Sequence, residues 1–235
     1  METLTVEDTV ILKCETQKSF KDIPSKGHVW DLLMSVASTY SYKEDMYRFW
    51  TYTKKDELLN YLRCKNVVGY NCVSFDLPLV IGSQYDCDPT YIINLRDKTK
   101  EVEDPNRNKY FCVCSDIYMK ELELIYKVNT YDKVRDKIFR NPITNKAAYS
   151  LYNVYVSTIG RAIPVKVLSI NPNELFNARN ILGLMEFNMF KLRLVKQLYE
   201  YILRHHYIIN GEFDVLRMDN IKSPKAVSFD DFLPF

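Results

Sequence analysis

The stretch ILKCETQ, residues 11–17, closes an apolar run on two charged side chains one residue apart, Lys13 and Glu15. On a strand, residues two apart share a face, so the pair would be delivered together to one place. With aspartate in the first position this would be an acid pair suited to proton transfer or metal chemistry. Lysine stands there instead. A second stretch, VVGYNCVSFDLPLV over 67–80, ends a buried strand at Asn71 and opens a helix at Phe75-Asp76. Such a junction favours Asn and Asp as helix caps, so these residue types also have a purely structural use. A third stretch, EFNMFKLRLVKQLYEYI over 186–202, sets Phe187 and Lys191 four residues apart on a predicted helix, hence on one face.

The elements that must position these groups follow from periodicity. Residues 7–13 read as a buried strand, and 29–40 and 46–53 as two more, rich in aromatic and β-branched residues. Residues 54–64 carry apolar positions at 58, 59 and 62, which is helical spacing. A short strand at 66–70 leads to a helix beginning at FDLPLVIG; the polar stretch 84–108 reads as an inserted loop or hairpin, and 110–117 as the next strand. From about 131 the pattern is mainly helical, with a break at 141–144. The last helix is expected over 182–206, followed by a hairpin or loop and the tail KSPKAVSFDDFLPF. There is no internal repeat. The expectation is an α/β fold with a mixed central sheet flanked by helices, one domain over 1–218 and a C-terminal tail over 219–235.

Composition narrows the function classes. The 235 residues are 47% apolar and 26% charged, enough to fill a core. Six glycines, with no GxGxxG or Walker A pattern, argue against a glycine-built phosphate loop. A net charge of +2 is too small to indicate nucleic-acid binding alone, so any basic footprint must be local. The six cysteines (14, 64, 72, 87, 112 and 114) and three histidines (28, 205 and 206) form no zinc-ligand spacing, and no cofactor is expected. No signal peptide and no apolar run of roughly 20 residues is present, so no membrane association and a cytoplasmic location are expected.

The order and spacing of the three chemical stretches resemble the DEDD-type 3′-5′ exonucleases, particularly the proofreading domains of family B DNA polymerases. LKCETQ occupies the place of the first motif, Asp-x-Glu at a strand end. Asn71 with Phe75-Asp76 matches the second, and 186–202 the third, Tyr-x-x-x-Asp on a helix; SLYNVYVSTIGRAIPVKV, 150–167, looks like the connection preceding it. The resemblance covers about residues 7 to 206 and implies a ribonuclease H-like fold. It also implies four carboxylates holding two metal ions about 3.5–4 Å apart. Glu15 and Asp76 match that set, whereas Lys13 and Lys191 replace the first and last aspartates and Phe187 replaces the tyrosine. Two lysines and two carboxylates carry about zero net charge, so a pair of divalent cations is not expected to bind. Either each ammonium pairs with a carboxylate, or the lysines turn outward towards a phosphate. The expectation is a pseudo-exonuclease with no catalytic residues and no metal.

A groove of this kind would accept single-stranded DNA. By resemblance Tyr70, Asn71 and Phe75 lie near its centre with Lys13 and Lys191, and Arg161, Lys166, Lys137, Arg140 and Lys146 are candidates for phosphate contacts. The tail ends in Asp230, Asp231, Phe232, Leu233, Pro234 and Phe235, which closely resembles the acidic tip of bacterial single-stranded-DNA-binding proteins. That resemblance implies recruitment of replication or repair proteins through an aromatic anchor beside negative charge. The other use of the tail is to fold back and bury Phe229, Phe232 and Phe235. The expected function is therefore strand binding without cleavage, as a replication accessory. A protein-interaction module that touches no DNA is one alternative, and an active exonuclease drawing ligands from Asp8 or Glu186 is another. The Lys-, Asn- and Tyr-rich composition suits an AT-rich genome, and a bacterial virus would fit it.

Overall fold

The computed structural model describes residues 8–24, 27–62, 65–82, 92–94, 112–116, 150–209, 211 and 215–217. β1 (Thr9–Thr16) is buried along its whole length. β2 (Met34–Ser41) pairs antiparallel with it, and β3 (Met46–Thr51) pairs antiparallel with β2. Helix α1 (Lys55–Leu62), with Asp56 and Glu57 in its positive first turn, leads to β4 (Asn66–Gly69), which lies parallel to β1. After α2 (Leu77–Ile81) come β5 (Ile92–Asn94) and β6 (Cys112–Asp116); β6 runs parallel to both β4 and β5. The result is one six-stranded mixed sheet in the order β3-β2-β1-β4-β6-β5. The C-terminal part supplies α3 (Leu151–Ile159), α4 (Val165–Leu168), α5 (Pro172–Asn177) and α6 (Ile181–His205). A small hairpin of β7 (Tyr207–Ile209) and β8 (Val215–Arg217) follows.

Alternation along β1 divides the core between two faces. Val10, Leu12 and Cys14 pack with Leu58, Leu62, Leu77 and Val80 on the side of α1 and α2. Ile11 packs with Tyr40, Val68, Val154 and the stripe Leu192, Val195, Leu198 and Ile202 of α6 on the other. Asn180 caps α6 by accepting the Gly183 N–H, and His206 closes it in the left-handed conformation, φ +60°. No helix among the described residues is long and apolar enough to cross a membrane.

Several expectations need correction. The segment 29–40 is not one strand: Val29–Leu32 is a 3-10 turn, and β2 starts at Met34. The Asp31 carboxylate accepts the His28 N–H at 2.7 Å, and this local bond outcompetes extended pairing. The strand expected over 46–53 stops at Thr51, where another 3-10 turn (Tyr52–Lys54) begins. Within the polar excursion 84–108 only Ile92–Asn94 are described, and they form β5, parallel to β6; the rest of the expected loop or hairpin lies outside the described residues. The helix expected to open at Phe75-Asp76 begins earlier, as a widened π-helical turn over Cys72–Asp76. The helical region after 131, with its break at 141–144, lies outside the described residues as far as Tyr149; so does the tail 219–235.

Candidate functional site

The end of β1 is where the three chemical stretches converge. Lys13 and Glu15 alternate with Cys14 and so share the α6 side of the sheet. β4 stops at Gly69 because the chain must turn sharply there: a Cβ on Gly69 would press on the Cys72 Cβ and stand 2.9 Å from its Sγ. Asn71 then takes the left-handed conformation, φ +60°, and the widened turn swings Asp76 back towards β1. Neither Asn71 nor Asp76 caps a helix with its side chain. The structural use of these residue types is therefore not the one adopted.

Lys13 Nζ donates to both Asp76 carboxylate oxygens at 2.8 Å, and the Cys14 N–H donates to Asp76 Oδ1 at 2.8 Å. Lys191 Nζ, from α6, donates to Glu15 Oε1 at 2.6 Å. The partners are 63 and 176 residues apart in sequence, so only the tertiary fold unites them. Each ammonium also stands over a ring, Lys13 at 5.5 Å from the Phe75 centroid and Lys191 at 5.0 Å from that of Phe187. Phe187 and Lys191 are one turn apart on α6, as their spacing requires.

The four charges act as one set. Burial works against the Lys13 ammonium, yet the carboxylates of Asp76 and Glu15 outweigh it and hold its pKa above the usual lysine value. Burial pushes the fully buried Asp76 carboxyl up, opposed by the charge and hydrogen bonds of Lys13, the Cys14 N–H and the more distant Lys191. Burial likewise drives the Cys14 thiol well above its ordinary range, which keeps it an unreactive packing group. The lysines thus point inward to the carboxylates, and the outward arrangement is not adopted.

This donor set does not fit the pair of divalent ions that the exonuclease resemblance implies. Two carboxylates replace the four required, and each already faces an ammonium at hydrogen-bond distance. Among the described residues no group of three or more His, Cys, Asp or Glu could hold a metal. Asp8 cannot join the set. It precedes the opposite end of β1, seven residues or roughly 23 Å from Glu15. There it accepts the Ser41 hydroxyl and, at 2.9 Å, the Lys43 N–H. Glu186 is exposed on α6.

The other expected strand-binding residues are distributed unevenly. Tyr70, 7% exposed, belongs to the core beside Val68 and Leu192 and presents no open ring face. Phe75 is half-buried and packs against the core cluster on the α1–α2 side. Arg161 and Lys166 are exposed, with no hydrogen bond or ion pair to the four charges among the described residues. Lys137, Arg140, Lys146 and Asp230 to Phe235 lie outside the described residues.

Sequence reasoning missed four residues here. Asn173 of α5 donates to the Thr16 carbonyl at 3.1 Å and ties the connecting helices to the end of β1. The buried side chains of Tyr152 and Asn188 have no hydrogen-bond partner among the described residues; Tyr152 is close enough to feel the Glu15 charge, and Asn188 lies one turn before Lys191. Asn188 interrupts the apolar stripe of α6, a signal that was visible in the sequence. Phe20, 62% exposed, stands 6.4 Å from Phe75 between ring centroids. Neither a protein-family model nor a curated protein matches the chain.

Proposed function

We propose that this chain is a catalytically silent relative of the proofreading exonucleases that binds single-stranded DNA without cutting it. The supporting observation is the convergence of Lys13, Glu15, Asp76, Phe187 and Lys191, with the two ammoniums seated on the two carboxylates. Those are the positions at which the exonuclease resemblance expects catalytic groups. The α/β fold with its mixed sheet is compatible with the ribonuclease H-like architecture that belongs to this proposal. Four carboxylates without metal would repel a phosphate backbone, whereas two ion pairs present it with no net charge. In this reading the segment Asp230 to Phe235 recruits replication or repair proteins through its aromatic residues and acids.

The test is fluorescence anisotropy of labelled oligo-dT, without divalent metal, across a salt series. Affinity that weakens with salt is expected, with a log–log slope of about −0.7 per phosphate contact on a single strand. Absence of binding at micromolar protein would overturn the proposal. One observation favours a second reading, a protein-interaction module that touches no DNA. Lys13 and Lys191 spend their charges on internal carboxylates, so neither is free to hold a phosphate.

A further inference from the structure

We propose that Phe20 is the outer half of a base-stacking clamp whose inner half is Phe75, with Lys18 and Lys21 holding the phosphates on either side. This rests on the strand-binding reading above and specifies where the strand is gripped. An exposed phenylalanine is ordinary when isolated, so exposure by itself decides nothing. The position of Phe20 does. Its ring is 6.4 Å from that of Phe75, tilted by 53°, and the Phe75 ring in turn carries the Lys13 ammonium 5.5 Å from its centroid. Phe20, Phe75 and Lys13 therefore form a continuous series of ring contacts from an exposed side chain to the four-charge site.

The segment carrying Phe20 is already shaped. At its base the Gln17 and Lys18 N–H groups donate to the Leu33 and Leu32 carbonyls at 2.8 and 3.0 Å, and the Gln17 amide donates to the Met34 carbonyl at 2.9 Å. At its tip the Asp22 carboxylate accepts from the Ser19 N–H and hydroxyl at 2.8 and 2.6 Å, and the Asp22 N–H returns to the Ser19 carbonyl at 3.0 Å. These bonds engage Asp22 with its own turn. Lys18 and Lys21 are exposed and flank Phe20 in the sequence, two residues before it and one after.

Cation, aromatic ring, cation is the pattern that a single strand matches with phosphate, base, phosphate. A base between two parallel rings needs them roughly 7 Å apart, two stacking layers of about 3.4 Å. The observed separation is close to that, and an exposed ring such as Phe20 reorients on a ps–ns timescale to become parallel. An apolar peptide would also cover Phe20, but it would gain nothing from the two lysines.

The experiment uses the full chain with an oligonucleotide carrying a single 2-aminopurine in a dT run, in metal-free buffer, reading anisotropy and base fluorescence together. Phe20→Ala is expected to weaken binding roughly 5- to 100-fold and to abolish the quenching of the stacked base. Phe20→Trp should restore both. Lys18→Gln with Lys21→Gln should flatten the salt slope by roughly 1.4, at about 0.7 per contact. Circular dichroism melts confirm that these surface variants fold. Wild-type affinity and quenching in Phe20→Ala would overturn the clamp and leave strand binding standing. Full rescue by Phe20→Leu would replace stacking with simple apolar contact and overturn it as well. Failure of the wild-type chain to bind would sink both readings.

Discussion

Both ends of β1 bury charge, but they neutralise it differently. Before the strand, Asp8 is held by the Ser41 hydroxyl and the Lys43 N–H, and the largely buried Lys65 ammonium makes a longer ion pair with it at 4.0 Å. These groups belong to the β2–β3 turn and the approach to β4, so the anion fastens neighbouring chain segments where they meet. At the far end, Asp76 and Glu15 depend on ammonium groups delivered by side chains from β1 and α6. Fixed backbone and hydroxyl donors serve any nearby anion, whereas an ammonium cancels a whole charge. The first end is a clasp; at the second the quantity being controlled is net charge.

The largest effect should come from Lys13→Met, which leaves a fully buried carboxylate with the Cys14 N–H and the more distant Lys191 charge. A loss of about 3–5 kcal/mol is expected in urea unfolding. Replacing the pair together, Lys13→Met with Asp76→Leu, should recover most of it, since an apolar substitute of similar volume is often neutral or better. If the double variant stays as unstable as the single one, Asp76 has a structural role beyond answering Lys13. At the clasp, Asp8→Asn should cost only about 1–2 kcal/mol, because the amide oxygen can still accept the Lys43 N–H while the amide NH2 donates to the Ser41 hydroxyl oxygen. A loss equal to that of Lys13→Met would erase the contrast between the two ends.

The smallest effect is in the alkaline range. The pKa of Lys13 is raised above 10.5 in the folded chain. Its contribution to stability is therefore complete below that value and lost as pH rises through the folded pKa. Wild type should lose stability with pH by up to one proton more than the Lys13→Met, Asp76→Leu chain, a slope difference of at most about 1.4 kcal/mol per pH unit. The buried tyrosines Tyr42, Tyr152 and Tyr199, all pushed up by burial, steepen both curves alike and drop out of the difference. Parallel curves would mean that Lys13 titrates no differently in the folded and unfolded chains.

Long, strongly patterned elements were legible from residue types alone. The β-branched run of β1 and the apolar stripe of α6 lie within a residue or a few of where periodicity puts them. The pairing of Lys13 with Asp76 and Lys191 with Glu15 needed a resemblance to bring the three stretches together, because no local pattern links residues 63 and 176 positions apart. What escaped was decided by single bonds or by tertiary context. The turn at Val29–Leu32 hangs on Asp31, β5 has only three residues, and the burial of Tyr70 depends on α6 arriving from far along the chain. Phe20 sits in a polar stretch with no periodicity to mark it.

The widened turn at Cys72–Asp76 has a hereditary consequence. A π-helical turn holds one residue more than an α-helix would use over the same arc. Losing one codon between Asn71 and Asp76 would tighten the turn and swing Asp76 and α2 together out of phase with the core. The carboxylate would then no longer be carried round to meet Lys13. Spelling can drift at an exposed position such as Ser74, but the number of letters cannot.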